Sequence, residues 1–532
     1  MLTLGIRSAT LPFAGPSPAL PQPPRVQLDT AYRVPTGPTI TVRAGGDFQA
    51  ALDVAQPGET VSLEAGASFR GNFTLPRKAG SGWIVVRSAA LDRDLPSPGT
   101  RISPEFARVM PKLVTPNSVQ VLQAAPGARG YRFIGIEFTT SPSVSTMRQI
   151  VAFGGAQARA EDTPSELILD RCYVHGHPTS NVFRGVLLNS ASSAVIDSYV
   201  GEIHVAGHDS QAILGFNGPG PFKIENNFLE AAGENIMFGG GDPRIAGLVP
   251  SDIEIRGNHL FKPLRWRQGA PDFVGTRWTV KNLLELKNAQ RVLIEGNLLE
   301  NVWAESQGGA AVVLTPRNGG KAPWSVVQDV MFRNNVVLRA EGGFGGQSVD
   351  DHHPSQPMRR IAIINNLWLS IERSFFTMAV PTVPLEDFVV DHNTAIPTRQ
   401  FAYDLDPGVA PALVRFQFTN NITGRGAYGV KFPNTDAAVA RWTPAADVRR
   451  NAMIWQDHSP TSTGAPGRIE KGLGPGRYTV LSAVATGLRP DGTLEPTSPL
   501  KGASTGGKDV GVDFEMLGAW AQVATPASQR LR

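Results

Sequence analysis

Residues 281–303 read KNLLELKNAQRVLIEGNLLENVW. Leu284-Glu285-Leu286-Lys287 alternates apolar and polar. A polar break, Asn288-Ala289-Gln290, follows, and a second alternating run covers Arg291–Glu295. It closes at Gly296-Asn297 and restarts at Leu298-Leu299. Alternation over such short runs marks half-buried strands, in which every second side chain enters a core. No helical period persists, and the breaks are too short for crossover helices. The chain therefore reads as strand, corner, strand, corner.

The phrase recurs. Aligned on the polar residue after each corner, it appears at Cys172, Ser198, Asn227, Asn258, Asn297, Asn335, Asn366, Asn393, Asn421 and Asn451. Ten copies at this period form a repeat array in which no unit can bury its inner face alone. The expected fold is all-β: a single-stranded right-handed parallel β-helix (solenoid) of about 10–12 coils. Like residues then stack at about 4.8 Å, and the asparagines form an amide ladder at one corner.

Composition agrees with a turn-rich β protein: 56 glycines and 43 prolines in 532 residues. The net charge of +4, from 50 basic and 46 acidic residues in scattered positions, argues against a nucleic-acid partner. The single cysteine, Cys172, excludes an internal disulfide. No apolar run is long enough for a membrane span. Residues 1–37, rich in proline, read as a loose N-terminal arm, and the opening MLTLGIRSAT is a poor secretory signal.

Residues 38–75 carry a short amphipathic helix pattern (Phe48–Ala55), a Pro57-Gly58 turn and a Val61-Ser62-Leu63 strand. Together with the repeats, this resembles the pectate-lyase-like (pectin lyase fold) superfamily, in which a short helix caps the open end of the β-helix. The resemblance covers roughly residues 38–515. The tail SPLKGASTGGKDVGVDFEML (498–517) is similar to that of many secreted bacterial β-helix proteins. The resemblance implies a 38–75 cap, a 76–460 β-helix, a 461–532 tail that returns along the helix or caps its last coil, and an extracellular or periplasmic location. It does not name the chemistry, because the scaffold carries lyases, hydrolases, esterases, epimerases and inert adhesins.

No nucleophile elbow, Walker loop or zinc-type cysteine set is present. Chemistry is expected on outward residues stacked on one face. The candidates are Arg184, His208, Asp209, Glu234, Glu285, Lys287 and Arg317, with Gln211, Asn235 and Gln307 as substrate contacts. Trp266, Trp278 and Trp303, in the longest coils, are expected to stack on sugar rings. The favoured activity is a lyase on an acidic (uronate) polysaccharide. Lys287, Arg317 and Arg184 would act as base or carboxylate neutraliser, and Glu285, Glu234 and Asp209 would orient them or hold calcium. Asp350 and Asp351 are a second oxygen-rich candidate for a cation. The alternatives are a glycoside hydrolase using a pair among Asp209, Glu234 and Glu285, and a non-catalytic adhesin or carbohydrate-binding surface.

Overall fold

The computed structural model describes residues 16–90, 94–396, 400–426, 429–433, 435–455 and 477–518. Three parallel sheets run the length of the molecule, two of fourteen strands and one of twelve. Each complete coil contributes one strand to each, and the end coils are incomplete. In the coil of the opening stretch, Ala289–Glu295 lies in sheet one, Leu298–Val302 in sheet two and Ala310–Leu314 in sheet three. The three inner faces enclose one continuous apolar core, from Val42 in the first coil to Met453 in the last ones. This is the expected parallel β-helix.

The corner between sheets one and two shows why the repeat reads as it does. The residue before each ladder position takes a left-handed conformation, φ 62° at Gly257, 67° at Gly296 and 54° at Asn334. Glycine and asparagine tolerate that region best. The following asparagine turns inward and bonds to its successor. Asn258 Nδ2 donates to Asn297 Oδ1 at 3.0 Å, and Asn297 Nδ2 to Asn335 Oδ1 at 2.9 Å. The same bond links Asn227 to Asn258 and runs on through Asn366, Asn393 and Asn421 to Asn451. Ser198 and Cys172 extend it: Asn227 Oδ1 accepts from the Ser198 N–H, and Ser198 Oγ from the Cys172 N–H. All ten aligned positions share one corner.

The capping helix spans Phe48–Val54. Asp47 accepts the Ala50 N–H at its start, and Phe48, Ala51 and Leu52 seal the first coil. Residues 498–517 lie back along sheet two, where Leu500, Val510, Val512 and Leu517 cover Leu367, Ile396 and Ile422.

The described part of the arm, residues 16–37, is docked rather than loose. The N–H groups of Ala19, Gln22 and Arg25 donate to Asp387, Asp329 and Asp252, each at 2.9–3.0 Å. Those aspartates lie on alternate strands of sheet one. Three arm residues therefore match two strand spacings, about 9.6 Å, close to one turn of polyproline II. Pro21 is buried and Pro18 and Pro24 are half-buried, so one proline per turn faces the wall. Residues 1–15, with most of the opening segment, lie outside the described residues.

Candidate active site on sheet three

The outward positions of sheet three form two neighbouring rows. One contains Arg184, Gln211 and Glu234 in direct register. The other contains Leu187, Leu214, Met237 and Glu285. The rows converge on Glu234 and Glu285, whose carboxyl groups lie close enough to act directly on each other.

Five ionisable groups meet there. Lys281 Nζ lies 3.0 Å from Glu234 Oε1 and 2.8 Å from Asp209 Oδ2. The contact with Glu234 is an ion pair, since its angles do not make an aligned hydrogen bond. Lys287 Nζ lies 3.4 Å from Glu285 Oε1. Gln211 Nε2 donates to Glu234 Oε2 at 2.8 Å, and Asn282 Nδ2 to Glu285 Oε2 at 3.2 Å and Gln307 Oε1 at 2.9 Å. Burial pushes Glu285 up to about 7, against the pull of Lys287 and with help from the Glu234 charge. Burial also opposes ionisation of Glu234, but Lys281 and Lys287 outweigh it and hold that carboxyl below its usual value. The pair thus contains one firmly ionised carboxylate and one carboxyl that titrates near neutrality.

The alternation predicts that Glu285 and Lys287 face outward. They do face away from the interior, but Glu285 is only 3% exposed and Lys287 is half-buried, because neighbouring coils and loops cover them. Lys281 is buried too. It arrives from an insertion, residues 262–281, raised between a sheet-two strand (His259–Phe261) and a sheet-three strand (Leu284–Leu286). Lys262, at the other end of that insertion, is also fully buried. Its ammonium donates to the carbonyls of Ala231 (2.9 Å), Ala232 (3.0 Å) and Gly233 and to Asn235 Oδ1 (3.2 Å). It locks the corner that delivers Glu234. Burial lowers Lys262 to about 7, with Glu234 opposing that shift.

Beside this cluster lies a cleft of about 460 Å³ lined by Arg148, Phe183, Arg184, His208, Asp209, Gln211, Met237 and the Gly239–Gly241 loop, among others. Arg148 lies over the Phe183 ring, 5.3 Å from its centre. Neither Arg148 nor Arg184 has an acidic partner among the described residues, and Arg184 Nε is buried without a hydrogen bond. Burial and the Arg148 charge lower the Arg184 pKa. An unpaired pair of guanidiniums is a receptor for an anion.

Several expected roles change. Trp266, Trp278 and Trp303 are buried with Ala232 and Val280, and Trp278 stacks on His204 at 3.9 Å, so they anchor the insertion and present no face to a sugar. Asn235 lies one position off the Arg184–Gln211–Glu234 row, and its amide holds the Leu229 and Phe261 carbonyls. Arg317 is bound to Asp351. Asp350 accepts the N–H groups of Asn318, His352 and His353 and thereby shapes a turn. Of the calcium donors expected on this face, Asp209 and Glu234 meet the Lys281 ammonium, which takes the position a cation would need. Among the described residues no three of His, Cys, Asp or Glu are grouped as a metal centre. The alternating pattern missed Lys281 and Arg148, because both sit on corners where alternation stops. The missed signal for Lys281 is its place at the end of a long insertion, just before the strand Leu284–Leu286.

No family model and no curated protein matches this chain. Among solved structures, a PL6 family alginate lyase, AlyGC, aligns with TM-score 0.50 and 14% identity, covering 90% of this chain and 57% of that one. The catalytic unit of a thermostable GH87 α-1,3-glucanase from Streptomyces thermodiastaticus gives TM-score 0.46 and 13% identity, covering 76% of this chain and 67% of that one. A pectate lyase gives TM-score 0.28 and 13% identity, covering 90% and 96%. This chain is thus similar to parallel β-helix proteins and spans little more than half the length of the alginate lyase it matches; at this identity the likeness is one of fold.

Proposed function

We propose that the protein is a carbohydrate-active enzyme that cleaves an acidic polysaccharide by β-elimination on sheet three. The observation that carries this is the juxtaposition of the Glu234/Glu285 carboxyl pair and its two lysines with the unpaired Arg148 and Arg184. Elimination begins by removing a weakly acidic proton α to a uronate carboxylate. That step needs the carboxylate neutralised and a base close by. In this reading Arg184 and Arg148 take the carboxylate, and the Lys287–Glu285 pair, sharing one proton, takes the C5 proton. The electron pair forms the C4=C5 double bond, the C4–O bond breaks, and the proton taken up by the Lys287–Glu285 pair passes to the departing oxygen, which returns the pair to its starting state. Lys281 keeps Glu234 ionised and fixes its position.

Calcium, if the enzyme uses it, would have to displace Lys281 from Asp209 and Glu234, so activity is expected to survive chelation. The hydrolase alternative fits less well. Glu234 and Glu285 act directly on each other and Lys281 bridges Glu234 to Asp209, whereas glycosidase carboxyls stand roughly 5–9.5 Å apart and flank the bond with the sugar between them. Polyuronates are extracellular polymers, and an extracellular or periplasmic location goes with this reading. Among the described residues no helix is long and apolar enough to cross a membrane. The test is a panel of acidic polysaccharides followed by ultraviolet absorbance of the unsaturated product beside a reducing-end assay. Lys287→Ala should lower turnover on the order of 10²–10⁴-fold. Reducing ends without new absorbance would replace the lyase with a hydrolase, and full activity of the variant would remove Lys287 from the chemistry.

A further inference from the structure

A second cleft, of about 370 Å³, lies on the same face toward the N-terminal coils. Its lining includes Gln120, Gln123, Gln149, Gln157 and the Gly154–Ala156 backbone. The two clefts are neighbours: Arg148 lines one and Gln149 the other. They are joined through sheet three, where Gln123, Ala152, Leu187, Leu214, Met237 and Glu285 are successive partners. Five strand steps separate Gln123 from Glu285, about 24 Å, enough for several sugar units.

The chemistry changes along that line. The arginine cleft offers unpaired cations. The glutamine cleft has one charged residue in its lining, Asp162, and Arg159 already neutralises it through two hydrogen bonds, one of 2.9 Å. Gln120 donates to Gln123 at 2.6 Å, and Gln123 donates to Thr74 at 3.0 Å. These bonds hold both amides in place and leave Gln120 Oε1 outside them. Gln149 makes no side-chain hydrogen bond among the described residues. Each amide both donates and accepts, which suits hydroxyl groups. A second carboxylate placed there would lose water beside Asp162 and find no cation in the lining.

We propose that the groove takes a heteropolysaccharide rather than a homouronate. An isolated uronate binds at Arg148 and Arg184, and neutral sugars extend over Gln120, Gln123 and Gln149, which select them. This rests on the acidic-polysaccharide function proposed above.

The test is equilibrium binding of the full chain to three polymers: polygalacturonate, polymannuronate, and deacylated gellan, a linear chain whose uronates are separated by neutral sugars. Gellan should bind most tightly. Gln149→Ala should weaken gellan roughly three- to tenfold and leave the homouronates unchanged. Gln149→Lys should raise homouronate affinity by a similar factor. Homouronates that bind as tightly as gellan, or a Gln149→Lys that fails to favour them, would overturn the assignment while leaving the acidic function standing. If Arg148→Ala with Arg184→Ala leaves binding to all three unchanged, the acidic function itself fails, and this assignment with it.

Discussion

Lys281 Nζ stands 3.0 Å from Glu234 Oε1, and both side chains are buried. The two residues come from different coils, and the insertion between them carries the lysine back onto the carboxylate. Lys281→Met would leave Glu234 buried without its nearest cation, with only Lys287 to oppose the charge. Breaking one side of such a pair costs about 3–5 kcal/mol, so denaturant unfolding should show a loss of that order. Lys281→Met combined with Glu234→Gln should recover part of the stability. If the single variant is as stable as the wild type, Lys281 is not what keeps Glu234 charged.

Glu285 supplies a pH signature. Its pKa rises from 4.5 to about 7 on folding, so between those values the folded state holds a proton the unfolded chain has lost. Its contribution to stability is present at low pH and is lost as pH rises through about 7. Glu230, also pushed by burial to about 7, acts with the same sign. Melting temperature should therefore fall across this window, and Glu285→Gln should flatten part of the fall. Turnover needs the Lys287–Glu285 pair to have lost one proton, so kcat/KM should climb through the same window, and the variant should lose that limb. A profile flat between these values would detach Glu285 from the chemistry.

Gln22 donates its backbone N–H to Asp329 at 3.0 Å, while Leu20 is exposed and makes no such bond. Proline suits this arm; it removes the N–H donor together with the exposed Gln22 Oε1 that accepts from the Arg25 guanidinium at 3.0 Å. Gln22→Pro should cost roughly 1.5–3 kcal/mol of docking, the range for a hydrogen bond to a charged group. Hydrogen exchange at the Ala19 and Arg25 amides should accelerate. Leu20→Pro should leave both amides as protected as before. Equal protection in both variants would mean that the arm is held by something other than these aspartates.

Asn297 sits in the middle of the ladder, buried and bonded on both sides. Asn297→Leu removes the acceptor of the Asn258 N–H and the donor to the Ile255 carbonyl. Each group left without a partner costs about 1–3 kcal/mol, which a thermal or denaturant melt will detect. An unchanged midpoint would show that the coils can close the corner without the amide.

The sequence alone determined the fold, because it is written in local, repeated terms. The ten-copy phrase specifies strand, left-handed corner residue and inward asparagine within a few residues, and stacking repeats that decision coil after coil. The outward direction of Glu285 and Lys287 in the candidate site followed from the same alternation, since they alternate with the inward Leu284 and Leu286. Exposure did not follow. Whether Glu285 meets water, and whether Trp266, Trp278 and Trp303 meet sugar, depends on where an insertion of no fixed period folds back, and only the tertiary structure decided that. The same holds for Lys281, Lys262 and Arg148, which lie on corners and insertions where side-chain direction is set by packing rather than by the strand. The arm is the intermediate case. Prolines at 18, 21 and 24 already carry the three-residue period, but the aspartates they serve are hundreds of residues away, and stacking alone brings Asp252, Asp329 and Asp387 into one line.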